Sequence, residues 1–255
     1  MIFSADERER YARHILLKEI GGAGQQRLKA ARVALVGVGG LGAPAALYLA
    51  AAGVGALILI DDDVVSLSNL QRQILYCTDD VGAAKTVCAA RALGALNPHV
   101  DITPYAERLT GANAERLLAG ATLVLDGSDS FETRFAVNAA CHAGGIPLIS
   151  GAVGRWEGQV ATFKSGLTKG AAHQSPCYRC LVPLAPPDAE PCAATGIVGA
   201  LTGVIGSLMA LEAIKDITGA GDSLAGRLLL YDGLRGESRT IALAPDPACP
   251  VCGAA

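Results

Sequence analysis

The residues able to do chemistry fall into two groups. The first surrounds a glycine-rich turn, Gly37-Val38-Gly39-Gly40-Leu41-Gly42. It follows a short apolar run, Val33–Val36, and opens an alanine- and leucine-rich stretch that reads as a helix from Leu41 to Ala52. Strand, tight glycine turn and helix is how α/β proteins bind a nucleotide. Gly37 permits the turn, Gly39 lets backbone N–H groups approach phosphate, and Gly42 lets the helix pack on the strand. The helix N-terminus adds unpaired N–H groups and positive potential. The next apolar run, Leu57–Ile60, ends in Asp61, where a ribose-binding acid is expected. Taken alone, this set suggests a dinucleotide such as NAD or FAD.

A second set of polar residues changes that expectation. The stretch from Asp61 to Gln73, with Asp63, Asn69 and Arg72, is unusually polar for this chain and follows the second strand. Lys85 begins the next helix, and Ser128-Asp129 follows a later strand. All three places fall at the carboxyl edge of the sheet, where α/β ligands bind. Arg72 and Lys85 could each neutralise phosphate oxygens, and Asp129 could hold Mg²⁺ through one carboxylate. Hydride transfer needs neither, so the group points to ATP rather than a redox dinucleotide.

The second chemical group is cysteine. Four of the eight cysteines form two pairs, Cys177-x-x-Cys180 and Cys249-x-x-Cys252. Two such pairs suit tetrahedral Zn²⁺ with four thiolates, a closed and therefore structural site. The metal would clip the second pair back onto a distant loop. Two redox disulfides are the competing reading. No signal peptide is expected, and reduced thiols in the cytoplasm favour metal. Cys77, Cys88 and Cys141 sit in apolar or helical runs and read as core residues. Cys192 stands just before a helix, where a thiol pKa is lowered in principle.

These residues need a scaffold. The alternation of strands 32–36, 56–60, 100–104, 121–125 and 146–150 with helices 41–52, 83–96, 113–119 and 131–143 implies a parallel sheet. Strands 159–163, 227–232 and 237–243, the last two a hairpin around Asp232-Gly233, are expected to add an antiparallel part. The predicted fold is α/β, a Rossmann-like mixed sheet with helices on both faces. Ser4 and Glu7 predict a capping box on a first helix running to about Glu19, stopped by Gly21, Gly22 and Gly24. No linker marks a boundary, so one domain is expected over 1–255. Its nucleotide-binding half is about 1–150, and its partner-binding and zinc half about 151–255.

Composition narrows the function classes. Hydrophobic residues make up 51% of the 255 and aromatics 4%, so the core is aliphatic. A net charge of −3 without a long basic run argues against nucleic acid. The apolar segment Gly196–Ile214 carries only Glu212 as a charge and places Gly199 and Gly203 at a transmembrane packing spacing. Without a second span or an aromatic belt it reads as a buried helix, with its glycines giving close helix contact. No membrane association is expected.

Together RYARHILLK, GVGGLG, DDDVVSLSNLQRQ, Lys85, Asn97-Pro98-His99, LDGSDSFETR, PCYRC, Cys192 with the helix after it, and CPVC resemble the MoeB/ThiF/HesA family. These are bacterial relatives of ubiquitin-activating enzymes, and PCYRC and the helix after Cys192 look most like the MoeB branch. The resemblance implies that Gly39 and Gly40 lie against ATP and that Asp61 holds ribose. It places Asn69, Arg72 and Lys85 on phosphate and links Asp129 to magnesium. Arg13 matches an arginine that reaches the other subunit's ATP site in a homodimer. Cys192 matches a cysteine used by some members in acyl or sulfur transfer. Asp62 stands where a bulky apolar residue is common.

The implied reaction is ATP-dependent adenylylation of the C-terminal glycine of a small ubiquitin-like sulfur carrier ending in Gly-Gly, of the molybdopterin-synthase type, with release of pyrophosphate. The candidate catalytic residues are Arg13, Arg72, Lys85 and Asp129, with Cys192. The candidate nucleotide set is Gly37, Gly39, Gly40, Gly42, Asp61, Asp63, Asn69, Arg72, Gln73, Lys85, Ser128 and Asp129. Alternatives are a thiamine-pathway carrier served through Cys192, a peptide substrate, a dinucleotide oxidoreductase, and a nucleotide-bound scaffold without turnover.

Overall fold

The computed structural model describes residues 3–186 and 196–253, so Cys192 lies outside the described residues. An eight-stranded sheet in the order β3-β2-β1-β4-β5-β6-β7-β8 forms its centre. Strands β1 (Arg32–Val36), β2 (Ala56–Ile60), β3 (Asp101–Tyr105), β4 (Leu123–Asp126) and β5 (Leu148–Val153) run parallel. Strands β6 (Glu157–Phe163), β7 (Arg227–Asp232) and β8 (Glu237–Ala242) continue it antiparallel. The two halves expected from the sequence thus share one sheet.

Helices cover both faces. One layer includes α3 (Gly21–Ala30), α4 (Gly42–Ala51), α5 (Lys85–Leu96) and α9 (Gly199–Thr218). The other includes α6 (Ala114–Leu117), α7 (Phe131–Gly144) and α8 (Tyr178–Leu181). Alternate strand residues feed the two layers: Leu57 and Leu59 face the first core, Ile58 and Ile60 the second. Burial on both faces is why these parallel strands read as continuous apolar runs rather than alternating ones.

The N-terminal segment departs from expectation. The Ser4 and Glu7 capping box forms, with Glu7 N–H donating to Ser4 Oγ at 3.1 Å and Ser4 N–H to Glu7 Oε2 at 2.9 Å. The helix it starts, α1 (Ala5–Arg10), ends early, and a short α2 (Ala12–Ile15) follows. The glycines expected to stop a helix instead begin α3. Packing overrides their poor propensity: Leu28 and Gln25 are fully buried, and Gln25 Nε2 donates to the Ala52 carbonyl at 2.7 Å.

Helix α9 is buried against α4, β5 and β6 through Leu201, Ile205, Met209 and Ala213. Close approach comes from Gly206, where a Cβ would stand 2.5 Å from the Leu41 carbonyl oxygen, whereas Gly203 faces open space. Among the described residues, no helix is long and apolar enough to cross a membrane.

Candidate active site

β1 lies between β2 and β4, and from these two strands the chain winds outward in opposite directions. Their carboxyl ends therefore leave a crevice at the topological switch point. The glycine turn fills one wall of it. Gly37 has φ +82°, and a Cβ there would sit 3.0 Å from the Ser128 nitrogen. A Cβ at Gly42 would come within 1.9 Å of the Gly37 carbonyl oxygen. These two glycines build the turn, while Gly39 and Gly40 face the crevice. Val38 holds the turn from behind: its N–H donates to Asp61 Oδ2 at 2.7 Å, and its carbonyl accepts the Tyr76 hydroxyl at 2.7 Å.

The crevice is a cavity of about 530 Å³. The structure brings Gly37, Gly39, Gly40, Asp61, Asp63, Arg72, Gln73, Lys85, Ser128 and Asp129 to its wall. Burial pushes the Asp61 carboxyl up, against the pull of nearby Lys85 and of the two N–H groups it accepts. Lys85 Nζ, on a side chain 5% exposed, meets Asp63 Oδ2 at 2.7 Å. Arg72 is half-buried; its guanidinium donates to the Ser68 carbonyl at 3.1 Å, and Thr202 Oγ1 holds its own carbonyl at 3.2 Å. Gln73 is buried, and its Oε1 has no hydrogen-bond partner among the described residues. Asp62 is satisfied by Arg108 Nε at 3.0 Å, which explains how an acid is accommodated there.

Three predicted residues are described but do not line the cavity. Gly42 packs beneath the turn rather than lining the cavity. The Asn69 side chain folds back to accept the Ser66 N–H at 3.4 Å, capping a short 3-10 turn. Arg13 is exposed on α2, outside the cavity wall. Cys192 is not described.

Two further residues organise the wall. Asp126, at the end of β4, accepts both the N–H and the hydroxyl of Ser128, at 3.0 and 2.6 Å. Arg134, almost fully buried, donates to the Ser128 carbonyl, to the Gly151 carbonyl at 2.9 Å and to Ser150 Oγ at 3.1 Å. This leaves Asp129 exposed at the rim of the turn they hold. A signal was present: Ser130 caps α7, so Arg134 returns one turn later to the cap's side of the helix.

The four paired cysteines converge. Their sulfurs all lie within 4.8 Å of one another, with Cys177–Cys249 at 3.5 Å and Cys180–Cys252 at 3.3 Å. Tetrahedral zinc with Zn–S near 2.3 Å requires sulfurs about 3.8 Å apart, so the residues fit the metal. Asn138 Nδ2 and the Asp246 N–H donate to Cys177 and Cys180 sulfurs at 3.5 and 3.3 Å, as outer partners of metal thiolates do. The described cysteines are all free. Cys88 and Cys141 are core residues as expected, whereas Cys77 is exposed.

Fold and site define a nucleotide-binding α/β domain clipped by a four-cysteine cluster. The chain belongs to the ThiF family, whose model matches residues 11–251. It is 48% identical over 255 residues to the sulfur carrier protein adenylyltransferase of Thermus thermophilus, covering 99% of this chain and 93% of that one. It is 46% identical to the SAMP-activating enzyme E1 of Haloferax volcanii, over 98% and 90% of the two chains. The molybdopterin-synthase adenylyltransferase of Salmonella typhimurium is 45% identical, over 98% of each. Among solved structures, E. coli MccB with MccA-N7isoASN superposes with a TM-score of 0.83 over 98% of this chain and 76% of that one. At 23% identity that likeness is one of fold alone.

Proposed function

We propose that this chain adenylylates the C-terminal glycine carboxylate of a small ubiquitin-like sulfur carrier ending in Gly-Gly, consuming ATP and releasing pyrophosphate. One observation carries the reading. Lys85, Arg72 and Asp129 surround the same cavity as the glycine turn, in a chain nearly half identical to a sulfur carrier protein adenylyltransferase. Two cations and an exposed acid suit a triphosphate; a hydride-transfer site needs none of them.

The carrier's carboxylate attacks the α-phosphorus, the bond to the β-phosphate oxygen breaks, and pyrophosphate leaves. A carboxylate is ionised at pH 7, so no general base is required. Catalysis is then positioning and charge stabilisation. Gly39 and Gly40 present backbone to the phosphates, Asp61 takes the ribose hydroxyls, and Lys85 and Arg72 stabilise charge on the leaving group. Asp129 would hold Mg²⁺, which would supply positive charge to the phosphate oxygens. Arg13 completes the pocket of a second copy in a homodimer. Zinc at the four cysteines is structural. The relatives are named for a sulfur carrier protein, for SAMP and for molybdopterin synthase, and of these the molybdopterin-synthase type of carrier is the one proposed.

Asp129→Ala tests the reading. The side chain is exposed, so folding is kept while ATP–pyrophosphate exchange is lost. Near-normal exchange would remove Asp129 from the mechanism.

A further inference from the structure

The cysteine cluster and the nucleotide cavity share one helix. On α7, Asn138 stands one turn beyond Arg134. Asn138 Oδ1 accepts the Tyr178 N–H at 2.8 Å, while its amide nitrogen donates to Cys177 Sγ at 3.5 Å. Tyr178 directly follows Cys177, and its buried ring lines the back of the cavity. That ring packs edge-on against Phe163 at 5.9 Å between centroids and lies tilted against Phe135 at 6.1 Å. The Arg134 guanidinium carbon lies 5.8 Å from the centre of the same ring. The contact is reciprocated from α8, where Arg179 stands 4.2 Å over the Phe135 ring.

Arg134 then reaches the active-site turn. It holds the Ser128 carbonyl on one side and Gly151 and Ser150 of β5 on the other. Its side chain is 7% exposed, so its planar fork is placed by protein groups alone. Tyr178 forms one wall of that placement, and the cysteine pair fixes where Tyr178 stands.

We propose that Tyr178 is a positioning residue for Arg134. Through this contact the zinc clip holds the Gly127–Ser130 turn in its nucleotide-binding shape. The inference rests on reading the cavity as the ATP site. It makes metal retention and nucleotide affinity energetically coupled, and such coupling is reciprocal. Zinc loss loosens ATP binding, and bound ATP tightens zinc binding by the same factor.

The experiment uses the zinc-loaded protein. ATP affinity is measured by calorimetry with Mg²⁺ present, and zinc release at equilibrium is measured by competition with a colorimetric chelator, with and without ATP. In the wild type ATP tightens zinc binding by roughly fivefold or more, the lower end of ordinary coupling. Tyr178→Leu keeps one zinc per chain, weakens ATP binding about tenfold and abolishes the effect of ATP on release. Tyr178→Phe keeps the ring face and restores both. Should Tyr178→Leu fail to fold, Arg134→Lys keeps the charge without the planar fork and loses the same effect with zinc intact. ATP binding without any change in zinc release overturns the coupling, as does a zinc-loaded Tyr178→Leu with wild-type ATP affinity. Absence of ATP binding by the zinc-loaded wild type removes the ATP reading, and this inference with it.

Discussion

Lys85 and Asp63 form an ion pair of 2.7 Å whose members face different environments: the lysine side chain is 5% exposed, the aspartate 61%. The ammonium is fixed in the cavity wall by the first turn of α5, while its counter-charge is free to turn to water. An arriving phosphate can replace Asp63 without leaving a buried charge unpaired. Lys85→Met therefore lowers pyrophosphate exchange by about 10²–10³-fold, the usual cost of one stabilising group. Thermal unfolding barely moves, because the remaining aspartate is solvated. Exchange within twofold of wild type would remove Lys85 from phosphate binding.

Arg13 lies exposed outside the cavity of its own chain. If it completes a partner's pocket, Arg13→Ala and Lys85→Met each inactivate alone, yet complement when mixed. A mixed dimer keeps one intact site, so activity returns to about a quarter of wild type after subunit exchange. No recovery, with exchange of subunits verified by mass, refutes the shared site.

Cys177 and Cys249 are 72 positions apart, so zinc closes a long loop. Loop entropy alone puts such a closure at about 4 kcal/mol. For a chain of this size that corresponds to a melting temperature roughly 10 °C lower after metal removal. Calorimetry on protein whose zinc loss is verified checks it; an unchanged melting temperature contradicts the clip.

Much of this fold is legible in the residues because strand and helix periods differ so clearly. Val33–Val36, the glycine turn and the helix after it stand where the pattern puts them, and both cysteine pairs meet. The Gly21–Ala30 helix was hidden because its stability comes from packing: Gly24 lies beside Thr218 at the end of α9, a contact distant in sequence. Arg134 and Asp126 were hidden for another reason. A buried arginine and a solvated one are the same letter: the Ser130 cap places Arg134 on its own side of α7, but only the fold shows that Arg134 joins β5 to the Ser128 turn. The turn cap that the Asn69 amide makes to Ser66 is likewise a contact seen only in the fold.

The central claim is that the cavity at Gly37–Gly42 consumes ATP to activate a carrier's terminal carboxylate. Incorporation of labelled pyrophosphate into ATP, measured with a Gly-Gly-ending carrier and with the same carrier lacking its last glycine, tests it most directly. The account predicts exchange with the intact carrier and none with the truncated one. Exchange that ignores the truncation, or no exchange with any Gly-Gly carrier alongside tight NAD binding, would contradict it.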